Sequence, residues 1–343
     1  MQLTRRPLGS SGLELTSVGL GTWAIGGGGW AFGWGPQSDD ASVATVHRAL
    51  ELGVNWVDTA AVYGHGHAEE VVGRALRALP AGERPLVFTK CGLAWDDTDR
   101  MATPRRAVTP KSVKEGCAAS LRRLGLDHLD LFQIHWPDET GAGVEEAWAE
   151  MALLKSAGWV RAIGVSNFNR SLLRRCEPIA HVDSLQPPFS LVERDMAAAE
   201  LPWCRDLKTG VIVYSPMQSG LLTDGFTAAR AAELAPDDWR RRDEQFRSPL
   251  LELNLALRDA LRPVARRHAV PIAAVAVAWT LAWDGVTGAI VGARTPEQVD
   301  GWIDAGALVL TDEDLDEIAA AVDAIGSGTG PGDPRPLASR GRK

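Results

Sequence analysis

Short apolar and β-branched runs alternate along the chain with longer stretches in which apolar residues return every three or four positions. The first pattern marks strands buried on both faces and the second marks amphipathic helices, so their alternation predicts a parallel sheet wrapped in helices. Strands are expected at residues 17–20, 55–58, 86–90, 129–135, 162–165, 184–186, 211–214 and 289–291. Helical periodicity falls between them at 39–52, 68–78, 110–124, 144–157, 171–176 and 203–208, and a longer region, 250–283, is expected to hold two helices. Two more, 296–305 and 312–325, follow the eighth strand. Asp39 ahead of an apolar-periodic run, Thr109 before Pro110, and Thr295 before Pro296 with Glu297 and Gln298 are helix-start signals.

Eight βα units in 343 residues fit one (β/α)8 TIM barrel spanning residues 1–325. Ahead of the first strand, residues 6–8 and 13–15 flank Gly9, Ser10, Ser11 and Gly12 as a β-hairpin suited to plug the barrel floor. A doubly wound sheet would also alternate strands and helices, and Gly19-Leu20-Gly21-Thr22-Trp23-Ala24 matches its G-x-G-x-x-A fingerprint. That turn must lead straight into a helix, whereas Gly26 to Gly29, Trp30, Trp34 and Pro36 follow here. The barrel is therefore preferred. Residues 326–343, rich in Gly, Pro and Arg, are expected to form a flexible tail.

Composition narrows the function classes. With 45% apolar and 23% charged residues, the chain has ordinary globular usage. A formal charge of -8 argues against nucleic acid as a partner, so any phosphate site must be local. Cys91, Cys117, Cys176 and Cys204 form no C-x-x-C pair, which points to reduced thiols and no metal. His65 and His67 form an H-x-H with nothing nearby to complete a tetrahedral set. The most apolar stretch, 269–283, contains Pro271 and is too short to span a bilayer, and no apolar core follows Arg5 and Arg6. A cytoplasmic location is expected, with no membrane partner and with monomer or homo-oligomer left open.

Barrels do their chemistry where strands end and βα loops begin. Asp58 closes the second expected strand, Tyr63 lies in the loop after it, Lys90 closes the third and His135 the fourth. A carbonyl accepts hydride readily only when its oxygen is protonated or polarised as charge builds there. Tyr63 can donate that proton, Lys90 can stabilise the tyrosinate left behind, Asp58 can keep a buried Lys90 charged, and His135 can orient the oxygen.

These residues sit within motifs that run along nearly the whole chain. They are Gly19-Leu20-Gly21-Thr22-Trp23, Asp58-Thr59-Ala60-Ala61-Val62-Tyr63-Gly64, Thr89-Lys90, Leu124-Gly125-Leu126-Asp127, His135-Trp136-Pro137, Gly164-Val165-Ser166-Asn167-Phe168 and Tyr214-Ser215-Pro216. On them the chain resembles an aldo-keto reductase from Leu8 to about Ile325. It is similar to the bacterial branch that resembles the Kv channel β subunits and the inositol-locus reductases, through Ser184-Leu185-Gln186-Pro187-Pro188 and Gly292-Ala293-Arg294. The resemblance implies a catalytic tetrad of Asp58, Tyr63, Lys90 and His135 and NADPH as cofactor. It implies cofactor contacts from Thr22, Trp23 and Asp58, from Ser166, Asn167 and Gln186 at the carboxamide, and from Tyr214 stacked on the ring. Ser215, Pro216, Met217, Ser219, Gly220 and Leu221 complete that side. Gly292 and Arg294 are expected at the phosphates, with Arg294 clamping the 2′-phosphate, and Gln298 at the adenine. Trp302 stands where relatives tend to carry asparagine, which opens the possibility of an adenine stack, and Met217-Gln218-Ser219 replaces the more usual Leu-Ala-Gln.

Among 13 tryptophans, Trp23, Trp30, Trp34, Trp95 and Trp136 fall in loops expected to rim the bowl. With Tyr63 and His135 they form the expected substrate pocket, suited to sugar rings or aromatic carbonyls, although packing beneath long loops would also explain them. The polar segment 223–247 is either a lid or an exposed crossover. Two other functions share the pattern: an NAD(P)-dependent sugar dehydrogenase, and a cofactor-binding regulatory subunit with slow turnover.

Overall fold

The computed structural model describes residues 2–335. Its centre is a closed barrel of eight parallel strands in sequence order: β1 (Val18–Gly21), β2 (Trp56–Asp58), β3 (Leu86–Cys91), β4 (Leu129–Ile134), β5 (Val160–Ser166), β6 (Ser184–Gln186), β7 (Gly210–Val213) and β8 (Val286–Gly292). The (β/α)8 expectation is met. Outside lie α1 (Asp39–Glu51), α2 (His67–Arg77), α3 (Pro110–Leu124), α4 (Val144–Ser156), α5 (Arg170–Cys176), α6 (Met196–Leu207), α7 (Ala228–Ala232), α8 (Leu250–Ala260), α9 (Arg262–His268), α10 (Ile272–Leu281), α11 (Pro296–Asp300) and α12 (Asp312–Ile325).

Side chains alternate faces along a strand, so one register of each strand fills the barrel and the other meets the helices. The inward register carries Trp56, Phe88, Leu131, Ala162, Ile212 and Ile290, which pack with Leu8, Leu13 and Leu15. Those three leucines come from the N-terminal hairpin, whose strands Arg5–Pro7 and Glu14–Thr16 pair antiparallel, so the hairpin closes the floor as expected. The outward register, including Val57, Val87, Phe132, Ile163, Leu185, Val211 and Val291, joins the helix faces in the main core. Gly19 belongs to this packing: a Cβ there would meet the Trp56 indole at 2.1 Å, so a ring fills the barrel where the dinucleotide fingerprint would need a free turn.

Several expectations need correction. Region 250–283 holds three helices, because Pro263 in the first turn of α9 and Pro271 just before α10 each interrupt the periodic run. Helix α6 begins at Met196 rather than near residue 203 and carries Pro202 inside it. A two-stranded ribbon, Leu93–Ala94 with Arg105–Arg106, rises from the loop after β3. Residues 326–335 make hydrogen bonds to the rest of the chain. Arg194, 3% exposed, donates through Nε to the Gly330 carbonyl at 3.1 Å and through Nη1 to the Ser327 carbonyl at 3.1 Å, and Ser327 Oγ bonds Asn254 Oδ1 at 2.6 Å. The rest of the expected tail, 336–343, lies outside the described residues. Among the described residues no helix is long and apolar enough to cross a membrane.

Candidate active site

The inward register that fills the barrel below also delivers the polar groups above. Two residues beyond Trp56 is Asp58, and two beyond Phe88 is Lys90; Gln133 and then His135 follow Leu131, and Tyr214 follows Ile212. Lys90 Nζ lies 2.5 Å from Asp58 Oδ1 and also donates to the Thr59 carbonyl at 2.9 Å, and Gln186 Nε2 donates to Asp58 Oδ2 at 2.9 Å. The pair is sealed, with Lys90 1% and Asp58 2% exposed. Burial raises the Asp58 carboxyl above its usual range against the opposing pull of Lys90, and burial lowers the Lys90 ammonium against the opposing pull of Asp58.

Tyr63 sits on the turn after β2, its N–H bonded to the Ala60 carbonyl at 3.1 Å. Its ring lies edge-on to His135 with centroids 5.7 Å apart and parallel to Trp23 at 6.2 Å. Lys90 Nζ stands 5.3 Å from the Tyr63 ring centroid and spends its donors on Asp58 and Thr59. Burial pushes the Tyr63 phenol well above its ordinary value, and the Asp58 charge pushes in the same direction. The expected acidification by Lys90 does not enter this balance: burial, Asp58 and Tyr214 all push the phenol upward, which favours its protonated form. Burial, reinforced by Lys90, drives His135 well below the ordinary imidazole value and holds it neutral. The structure therefore brings the four sequence-identified residues to one place, with Lys90 beneath the others.

Above them opens a cavity of about 1150 Å³ that reaches from Trp136 to Gln298 and Trp302. Thr22, Trp23, Asp58, Ser166, Asn167 and Gln186 line it, as do Tyr214, Ser215, Pro216, Met217, Ser219 and Gly220. Gly292, Arg294 and Gln298 line its far end. Leu221 does not: it is fully buried against Phe226, Leu234, Phe246 and Leu251. Asn167 stands at a positive φ of 62°. Its Nδ2 donates to the His135 carbonyl at 2.9 Å while its Oδ1 accepts from the Tyr214 hydroxyl at 2.8 Å. One amide thus ties the histidine strand end to the tyrosine strand end. Gly21 and Gly292, register partners on adjacent strands, bring bare backbone to the wall.

Trp23, Trp30, Trp34 and Trp136 line the cavity, but Trp95 does not. It stacks on His65 at 5.3 Å and donates Nε1 to Asp97 Oδ1 at 3.1 Å, outside the bowl. Trp302 is 2% exposed and packed in the main core, so only its edge reaches the cavity. Arg294 is partly committed elsewhere: Nε donates to Gln37 Oε1 at 2.9 Å, Nη1 to the Trp34 carbonyl at 3.1 Å, and Nη2 to the Pro36 carbonyl. Gln298 Oε1 accepts from the Arg294 backbone N–H at 2.8 Å.

Sequence reading missed Arg230 and Arg240, which line the same end. Arg240 pairs with Asp238 through Nε at 3.0 Å and Nη2 at 2.7 Å and lies 4.5 Å above the Trp34 ring. Their only signal was the charge of segment 223–247. That segment packs across the cavity: Trp239 stacks on Trp23 at 4.9 Å, its backbone N–H bonds the Gly33 carbonyl at 3.1 Å, and Asp237 Oδ2 accepts from Gly29 N at 3.2 Å. The lid reading fits it better than an exposed crossover.

Comparison with known proteins agrees with this geometry. The model of the Aldo/keto reductase family matches residues 17–323. Aldo-keto reductase YhdN of Bacillus subtilis is 33% identical over 286 residues, covering 83% of this chain and 84% of that one. The NADH-specific methylglyoxal reductase of Escherichia coli is 33% identical over 291 residues, covering 82% and 88%. Among solved structures, the glycerol dehydrogenase AKR11B4 of Gluconobacter oxydans superimposes with a TM-score of 0.83 at 36% identity, covering 99% of each chain. With its strand-end tetrad, its elongated cavity and this likeness along nearly its full length, the chain belongs to the aldo/keto reductase family, oxidoreductases that work with a nicotinamide cofactor.

Proposed function

We propose that the protein reduces an aldehyde or ketone of a small molecule with NADPH, using Tyr63 as the proton donor. The carrying observation is that one site sets the Tyr63 phenol edge-on to the His135 imidazole above the buried Asp58–Lys90 ion pair, with burial pushing the phenol up and the imidazole down. The cavity suits the cofactor on its own terms: amide and hydroxyl groups of Ser166, Asn167 and Gln186 at one end, bare backbone at Gly21 and Gly292, and three guanidinium groups at the other. When bound, the reduced nicotinamide supplies hydride to the carbonyl carbon. His135, neutral, donates a hydrogen bond to the carbonyl oxygen and fixes its direction. Tyr63 passes its proton to that oxygen as negative charge builds, and Lys90 then stands nearest to offset the tyrosinate. Asp58 keeps Lys90 charged for that moment.

NADPH rather than NADH is favoured by the charge at the far end. Arg230, Arg240 and Arg294 meet there, and the Arg230 guanidinium makes no hydrogen bond or ion pair among the described residues, its backbone N–H alone bonding Thr227 Oγ1 at 3.1 Å. Its fork is open to a 2′-phosphate. Oxidation of a polyol hydroxyl, the reverse reaction, uses the same groups, and the glycerol dehydrogenase relative makes it the second reading.

Tyr63→Phe tests the proposal. Steady-state NADPH consumption with a panel of aldehydes should fall about 10²–10⁴-fold, while cofactor affinity from fluorescence titration stays within about twofold. Undiminished turnover in the variant would remove Tyr63 from the chemistry.

A further inference from the structure

Two arginines on the substrate side, the exposed Arg105 and the half-buried Arg106, have no role in the reaction just described. The ribbon after β3 pairs Leu93 with Arg106, and both line the cavity. The Arg106 guanidinium carbon sits 5.1 Å from the ring centre of Trp136, the residue that follows His135. Stacking holds the guanidinium plane while leaving its N–H edge unspent. Among the described residues no hydrogen bond or ion pair engages that edge. Asp138 shares the rim and feels the Arg106 charge, but among the described residues it makes no hydrogen bond to it; its Oδ1 accepts from Thr140 N at 2.9 Å and Thr140 Oγ1 at 2.6 Å. Glu139, also on the rim, is exposed and screened by water. Trp23, Trp30, Phe32 and Leu93 give the same cavity an aromatic and apolar wall, beside the polar Thr103 and Thr140. A half-buried guanidinium with free donors beside an aromatic wall is built for a planar or tetrahedral oxyanion.

From this we infer that the substrate carries an anionic group, a carboxylate or a phosphate, at the end remote from its carbonyl, and that Arg106 is the residue that selects it. The inference rests on the reductase reading above. It makes Arg106 a specificity residue that binds the non-reacting end, so its contribution is to orient a small aldehyde or ketone with its oxygen toward Tyr63 and His135.

The test compares 4-carboxybenzaldehyde with methyl 4-formylbenzoate, which has nearly the same shape and no charge, and glyceraldehyde 3-phosphate with glyceraldehyde. In the wild-type enzyme, kcat/KM for at least one anionic member should exceed that of its neutral partner by about tenfold, and the carboxylate and phosphate arms show which oxyanion is preferred. That ratio should shrink as salt rises. In Arg106→Met, which keeps an apolar side chain on Trp136, it should fall to about one, and Arg106→Lys should keep part of it. Equal or inverted ratios in the wild type would overturn the inference even if Arg106→Met does not fold, and so would a ratio that survives in Arg106→Met. Consumption of NADPH with the neutral aldehydes separates the two readings: turnover without anion preference overturns only the role of Arg106, whereas no turnover with any carbonyl overturns the reductase reading beneath it.

Discussion

Replacing Lys90 with methionine removes the cation from the buried pair while filling much of the same space. Asp58 is then left with Gln186 Nε2 at 2.9 Å as its remaining side-chain partner. Removing one member of a buried ion pair costs about 3–5 kcal/mol. The cost has a ceiling, because the stranded carboxyl can take up a proton. For a group ionising near pH 3.9 in the unfolded chain, staying protonated in the fold at pH 7.5 costs about 1.36 kcal/mol per pH unit, or about 5 kcal/mol. The sign follows from the protons: the fold now binds one that the unfolded chain releases, so the deficit is largest at high pH and shrinks as pH falls toward the unfolded value. Moving from pH 7.5 to 5.5 should return about 2.7 kcal/mol. With about 2.1 cal/mol/K of unfolding entropy per residue, the whole chain unfolds with about 0.7 kcal/mol/K. Calorimetry should therefore show a Tm about 7 °C below wild type at pH 7.5 and about 3 °C below at pH 5.5. The double variant Asp58→Asn with Lys90→Met should recover much of the loss and show no such pH slope. A Lys90→Met deficit that is flat with pH, or grows in acid, would refute the picture of a sealed pair.

Because His135 is held neutral and Tyr63 protonated, kcat/KM for reduction should be level from about pH 6 to 9; an acid limb with a midpoint near 6.5 that disappears in His135→Asn would contradict it. Arg230→Ala combined with Arg294→Ala should raise the KM for NADPH at least tenfold and leave that for NADH nearly unchanged. Equal losses with both cofactors would show that the arginines do not read the 2′-phosphate.

The tetrad was legible because the period of two that buries Trp56 and Phe88 also places Asp58 and Lys90 in the same register. A strand end followed by a polar residue is visible in sequence, and the barrel rule supplies the rest. What sequence could not convey was the partner of each loop residue. Arg294 reads as a free loop charge, yet two loop carbonyls and Gln37 from the first βα loop claim it. Trp95 reads as a rim aromatic until His65, at a positive φ of 59°, turns up against its face. The ribbon that presents Arg106 has strands of two residues each, too short to show any alternation. Helix α6 hid its first half because Pro202, inside it, looks like a start.

The leucine plug has a consequence for proton traffic. Leu8, Leu13 and Leu15 are buried against Trp56 and Phe88 on the floor side, so in the proposed mechanism Asp58, Lys90 and Tyr63 exchange protons with bulk water through the upper mouth. Under the proposed mechanism an occupant of that mouth corks the vessel, and the proton that Tyr63 holds when the mouth fills is the one left for reduction; its replacement has to wait until the occupant leaves.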